Sequence, residues 1–193
     1  MKFNVLIFSA ASILMGLSPV LAQPTTIKFK GNIQFISDAP MERIEGTAPA
    51  TGEFNIDKQS LGSITGKASV SVAGMKTGND QRDEHLRSDT WLDEKQFPEI
   101  TFVIKSASAN GELKKDKDVS TGTVTLNGDL SLHGVTKSIS TKADVKWKGD
   151  KYKIMSKFQV KLADYKVEGA TGIVGSKVGK TIDITVSLRG KGN

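Results

Sequence analysis

Eight successive runs of alternating apolar and polar residues constrain this chain more than any other feature. Ile27, Phe29, Ile33 and Phe35 alternate with Lys28, Lys30, Asn32 and Gln34. A period of two sends alternate side chains to opposite faces, so the run reads as a strand with one buried and one wet face. A second run lies near Arg43 to Asn55 and ends with Phe54 and Ile56. The third carries Ile64, Ala68, Val70 and Val72, and the fourth Ile100, Phe102 and Ile104. Val124, Leu126, Leu130 and Leu132 mark the fifth; Ile139, Ala143, Val145 and Trp147 the sixth. Tyr152, Ile154, Phe158, Val160 and Leu162 mark the seventh, and Ile182, Ile184, Val186 and Leu188 the eighth.

Short connections tie these runs together. Gly149-Asp150 and the turn at Gly134 are hairpin signals, which force antiparallel neighbours. Successive hairpins make a meander, and eight strands close a barrel whose interior can hold one small ligand. Gly31, Gly66 and Gly128 fall where strongly bent strands need kinks. The inward set is rich in Val, Ile, Ala, Gly and Ser; such small residues leave space and favour a cavity over a filled core. No composition break divides the chain. The expected fold is all-β: one eight-stranded antiparallel barrel with one short helix between strands 3 and 4.

That helix is the only break in the alternation. Asn79 or Asp80 can cap it, and Asp83 and Glu84 in its first turn suit the helix dipole. Arg82 and Leu86 share a face, as do His85 and Asp89. Trp91, Leu92, Phe97 and Pro98 then form an apolar cap before the fourth strand.

The N-terminus reads as a signal peptide, residues 1–22. Lys2 precedes an apolar run from Val5 to Leu17 that is too short to span a membrane, and Val20-Leu21-Ala22 fits a cleavage site. No cysteine stands there, which excludes a lipoprotein anchor. The mature part, 23–193, has 193 − 22 = 171 residues, enough for one domain with a sizeable core. The chain has no cysteine at all, so no disulfide supports the core. A periplasmic or secreted location is expected.

The net charge is +6. The lysines alternate with apolar residues, which reads as the solvated face of a sheet rather than a patch. No interleaving of aromatic and basic residues builds a stacking platform, so nucleic acid is not an expected partner. Val174 to Thr181 resembles a phosphate-binding loop, but Val174 stands where the motif needs glycine and a strand, not a helix, follows. His85 and His133 are the only imidazoles. His85 lies among Asp83, Glu84 and Asp89 and could act as a base oriented by a carboxylate. No Ser-His-Asp spacing or His-x-x-x-His pair supports catalysis or a metal site. His133 reads as a hydrogen-bonded turn residue.

Several blocks resemble one family. They are Ser37 to Gly46, Met75-Lys76-Thr77-Gly78-Asn79, Arg82-Asp83-Glu84-His85-Leu86, Trp91-Leu92-Asp93 and Phe97-Pro98-Glu99-Ile100-Thr101-Phe102. Gly128 to Lys137, Phe158, Asp164-Tyr165 and the Val174 to Val178 loop follow in the same order. Together they resemble the YceI-like family of periplasmic proteins over nearly the whole mature chain. The resemblance implies a lipocalin-like barrel that binds a long isoprenoid, a ubiquinone-type quinone or another amphiphilic lipid, and it does not imply an enzyme. Many members carry a histidine-serine pair in the opening strand; Gly31-Asn32 replaces it here, which bears on head-group choice.

The resulting expectation is a non-enzymatic periplasmic carrier for such a lipid, without resident metal or cofactor. A chain of twenty or more buried carbons at about 0.8 kcal/mol per CH₂ would supply the gross gain. Strand alternation assigns the lining to Phe29, Ile33, Phe35, Phe54, Val70, Phe102, Leu130, Phe158 and Val160. Leu86, Trp91 and Phe97 would form the lid, with Arg82 and His85 at the head group. A hydrolase or isomerase using His85 and a small outer-membrane barrel are the alternatives. No stable membrane insertion is expected, and a homodimer is compatible with the sequence.

Overall fold

The computed structural model describes residues 24–39, 41–170 and 177–192. The expected signal peptide, 1–22, and residues 171–176 of the loop that mimics a phosphate-binding motif lie outside the described residues. Eight strands follow in order: β1 Thr25–Asp38, β2 Arg43–Ile56, β3 Thr65–Ser71, β4 Glu99–Asp116, β5 Val119–Leu132, β6 Val135–Lys148, β7 Lys151–Lys161 and β8 Thr181–Lys191. Each pairs antiparallel with the next, and β8 returns to β1. Helix α1, Asp80–Arg87, lies between β3 and β4. The fold is thus the expected eight-stranded barrel, and closure leaves no free sheet edge at the β1–β8 join.

Alternation explains the strands almost residue by residue. In β1, Ile27, Phe29, Ile33 and Phe35 are buried while Lys28, Lys30, Asn32 and Gln34 are exposed. The β5–β6 hairpin turns on His133 and Gly134, both at positive φ (48° and 71°). Two such residues match the right-handed strand twist that a two-residue hairpin needs. Two inward phenylalanines lie over cross-strand glycines. Phe35 faces Gly46, and Phe102 covers Gly128; a Cβ at either glycine would strike the ring. Strand β4 runs far past its apolar marker Ile104, as an exposed arm to Asp116 paired with β5 through two register shifts. Lys105 to Asp116 lack the apolar alternation, so backbone pairing carries that arm, helped by the Asn110–Thr125 hydrogen bonds and the Lys105–Asp129 ion pair.

The barrel has two distinct ends. At the end holding the β6–β7 turn, Phe29, Phe54 and Tyr152 pack edge to face, with centroids 5.4 and 6.4 Å from Phe29. Ile27, Ile56 and Trp147 are buried with them. At the other end lie the β1–β2 and β5–β6 turns, helix α1 and the β7–β8 connection. One seam between strands is incomplete. The β6–β7 ladder runs only from Lys148↔Lys151 to Ala143↔Ser156, so the first half of β6 and the last part of β7 diverge toward the open end.

Candidate ligand-binding site

Above the packed end, the barrel encloses a cavity of about 400 Å³. That lies within the range of roughly 300–1,000 Å³ usual for small-molecule sites. Its depth is apolar: Phe54, Ile104, Leu126, Ile154 and Leu188 line it without any charged group. Ala68, Val70, Phe102, Ile139, Phe158 and Ile184 point inward yet are only half-buried, because they face this space rather than one another. Ala50, Ala68 and Ala143 supply much of the room.

Charge is confined to the mouth, where Glu42, Arg82, His85 and Lys177 reach the lining. Helix α1 covers this rim and is firmly pinned. Asn79 caps it by accepting from the Arg82 N–H (3.0 Å). Asp83 is buried on the inner face and accepts from both the Thr77 N–H and the Thr77 hydroxyl, each at 2.7 Å. Its second oxygen pairs with Lys76 Nζ at 3.4 Å. Burial pushes the Asp83 carboxyl up, but the Thr77 hydroxyl and N–H and the Lys76 ammonium outweigh this and hold it below the usual carboxylate range. Arg82 donates to Glu42 across to the β1–β2 turn (2.6 Å), to the Thr77 hydroxyl (3.0 Å) and to the Thr77 carbonyl (3.2 Å). Lys76 and Thr47 exchange two backbone hydrogen bonds of 2.8 Å, which ties the approach to the helix onto β2.

The opening in the β6–β7 seam is plugged by hydroxyls. Ser156 donates to the Lys142 carbonyl, an acceptor near the point where the two strands part (2.8 Å), and contacts the Thr141 hydroxyl (2.8 Å). Nearer the rim, Lys137 pairs with Asp164 at 3.2 Å and His133 Nδ1–H donates to the Tyr165 carbonyl at 3.2 Å. His133 is therefore a hydrogen-bonded turn residue.

Of the lining assigned from sequence, Ile33, Phe35, Phe54, Val70, Phe102, Leu130, Phe158 and Val160 border the cavity, as do Arg82, His85, Leu86 and Trp91 at the lid. Two residues stand elsewhere. Phe29 is fully buried in the aromatic plug, because its register places it beside Tyr152 and Phe54. Phe97 packs edge-on against the His133 ring, 5.2 Å between centroids, outside the cavity. Neither Gly31 nor Asn32 lines the cavity, and Asn32 points outward. Sequence reasoning missed Glu42, Thr77 and Met75 at the mouth and the Thr141–Ser156 pair. Asp83 was legible only as a first-turn helix acid; its burial and its partner Thr77 were not.

The profile of the YceI-like domain matches residues 22–189. The chain belongs to the YceI-like family. Protein YceI of Escherichia coli is 26% identical over 145 residues, spanning 72% of this chain and 69% of that protein. Among solved structures, BcnA of Burkholderia cenocepacia superposes with a TM-score of 0.71 at 16% identity, over 82% of this chain and 94% of that one. A polyisoprenoid binding domain from Saccharophagus degradans gives 0.65 at 16% identity, over 89% and 100%. At those identities the likeness establishes a shared barrel fold.

Proposed function

We propose that this YceI-like protein holds the apolar chain of an amphiphilic lipid, such as an isoprenoid or quinone, inside the barrel and carries it in the periplasm. The observation that carries the reading is the 400 Å³ apolar cavity with charged groups only at its mouth. An apolar tail gains by entering that space, and a polar head stays at the rim beside Arg82, His85 and Lys177. The polyisoprenoid binding domain from Saccharophagus degradans, built on the same fold, supports the ligand class.

Two rival readings fit the geometry less well. Catalysis by His85 needs a group that orients the imidazole, and the ring of His85 makes no hydrogen bond among the described residues. A transmembrane barrel needs an apolar outer band, whereas the outward face of β6 carries Thr136, Ser138, Ser140, Lys142, Asp144 and Lys146. Native mass spectrometry of gently purified protein tests the proposal: a co-purifying lipid of isoprenoid or quinone mass is expected. Protein that arrives empty and takes up neither a quinone nor an isoprenol would overturn it.

A further inference from the structure

Lysines that look like an ordinary solvated face along the sequence are gathered by strand register into one array. Lys146 of β6 lies opposite Lys153 of β7, Lys153 opposite Arg189 of β8, and Arg189 opposite Lys30 of β1. Two residues along, Lys148 lies opposite Lys151, Lys151 opposite Lys191, and Lys191 opposite Lys28. The result is two adjacent rows of four basic residues across four strands, all on the outer face. Every one is exposed except Lys153, which is half-buried. At about 4.8 Å between strands and 6.8 Å between rows, the backbone footprint is only about 14 by 7 Å.

Like charges directly opposite one another destabilise a sheet. Local acids relieve only part of this: Asp118 pairs with Lys148 at 2.6 Å and Asp150 with Lys191 at 3.3 Å. Lys28, Lys30, Lys146, Lys151, Lys153 and Arg189 have no ion pair among the described residues. Glu53 on β2 and Asp144 on β6 border the array without entering it.

We propose that this array docks the protein on an anionic phospholipid surface. Its composition argues against a protein partner. Seven of the eight residues are lysine, which is depleted at protein–protein interfaces, and no exposed aromatic anchor stands among them. Lysine is a compact, hydrated point charge that suits a diffuse anionic plane. Nucleic acid fits poorly: the convex wall presents no element to enter a groove and no ring for stacking. Position supplies a further argument. The incomplete β6–β7 seam opens on the same wall, beyond Ala143 and Ser156, so docking through the array turns the seam toward the membrane. This last point rests on the lipid-carrier reading; the charge argument does not.

Co-sedimentation with vesicles of one part phosphatidylglycerol to two parts phosphatidylcholine tests the proposal, with pure phosphatidylcholine beside it. Binding is expected to the anionic vesicles alone and to fall steeply with added salt. Each basic residue at an anionic surface changes partition about fivefold, and Glu reverses rather than removes the charge, so K146E/K153E/R189E should lose at least about a hundredfold. The charge-matched K95E/K166E/K180E should lose far less, since those lysines are exposed at the opposite end of the barrel, beside α1 and the β7–β8 connection. Equal losses in both triple variants, undiminished binding by the first, or indifference to phosphatidylglycerol would each overturn the proposal. So would tighter binding to polyglutamate or duplex DNA than to the vesicles at equal salt. Uptake of a fluorescent fatty acid is followed in parallel. A failure of the carrier reading then shows in uptake, and a failure of docking shows in sedimentation.

Discussion

Filling the cavity without disturbing its wall is the most direct perturbation of the site, and Ala68→Phe does this. Ala68 lies on the inner face of β3, between Gly52 of β2 and Phe102 of β4, and borders the cavity. The substitution places about six more carbons in space that the ligand would otherwise fill. At about 0.8 kcal/mol per buried carbon, the ligand forfeits about 5 kcal/mol of gross hydrophobic gain. A flexible chain recovers part of that by backing out through the mouth. The expected loss is therefore tenfold to hundredfold in affinity, about 1.4–2.8 kcal/mol. Because the ring enters empty space, unfolding free energy should hold within about 1 kcal/mol. Ala48→Phe is the contrast: Ala48 is buried and does not border the cavity, so overpacking there costs about 1–3 kcal/mol. Displacement of a fluorescent fatty acid reads the first quantity, and urea unfolding reads the second. Wild-type affinity in Ala68→Phe, or a stability loss equal to that of Ala48→Phe, would refute the cavity argument.

Three further outcomes follow from the lid and seam. Asp83→Asn removes a buried charge from the Thr77 and Lys76 contacts and is expected to cost about 1–3 kcal/mol by denaturant unfolding. Because the folded carboxyl is held below its unfolded value, its contribution is complete at neutral pH and fades as pH falls through that lowered value. Wild type should thus lose this part of its stability in strong acid, and Asp83→Asn should show a flatter profile there. Arg82→Ala cuts the link from α1 to Glu42 and is expected to speed ligand release several-fold in stopped-flow displacement, with less than about 1.5 kcal/mol lost in stability. Ser156→Ala leaves the Lys142 carbonyl without its hydroxyl donor, and amides of the adjoining β6–β7 ladder, from 143 to 148, should then exchange faster by hydrogen-exchange mass spectrometry.

The incomplete seam gives the barrel a specific weak place. Seven of the eight strand junctions are laddered along nearly all of the shorter strand, whereas β6–β7 pairs only six of the 11 residues of β7. The hydroxyls of Thr141 and Ser156 lie where the ladder ends. Replacing a continuous ladder by side-chain bridges leaves a wall that can part locally at lower cost than elsewhere. Lys137–Asp164 and His133–Tyr165 close the same flank near the rim.

The sequence by itself determined the strands and which side of each faces inward. Alternation is a local property: Ile33, Phe35, Val70 and Phe102 face inward because the residues beside them face out. It also determined the helix and its cap, since Asn79 and the first-turn acids act within one turn of chain. Only the tertiary structure decided what depends on lateral neighbours. Phe29 and Phe35 share one face of one strand, yet Phe29 meets Tyr152 and becomes part of the plug, while Phe35 reaches the cavity. Asp83 reads along the sequence as a first-turn helix acid; folding buries it against Thr77 and Lys76. The lysines of β1, β6, β7 and β8 read as four separate wet faces, and they become one array only when β8 closes onto β1. The physical reason is common to the phenylalanines and the lysines. Side-chain direction is fixed by the backbone of a single residue, whereas contact is fixed by the register between segments far apart in the chain.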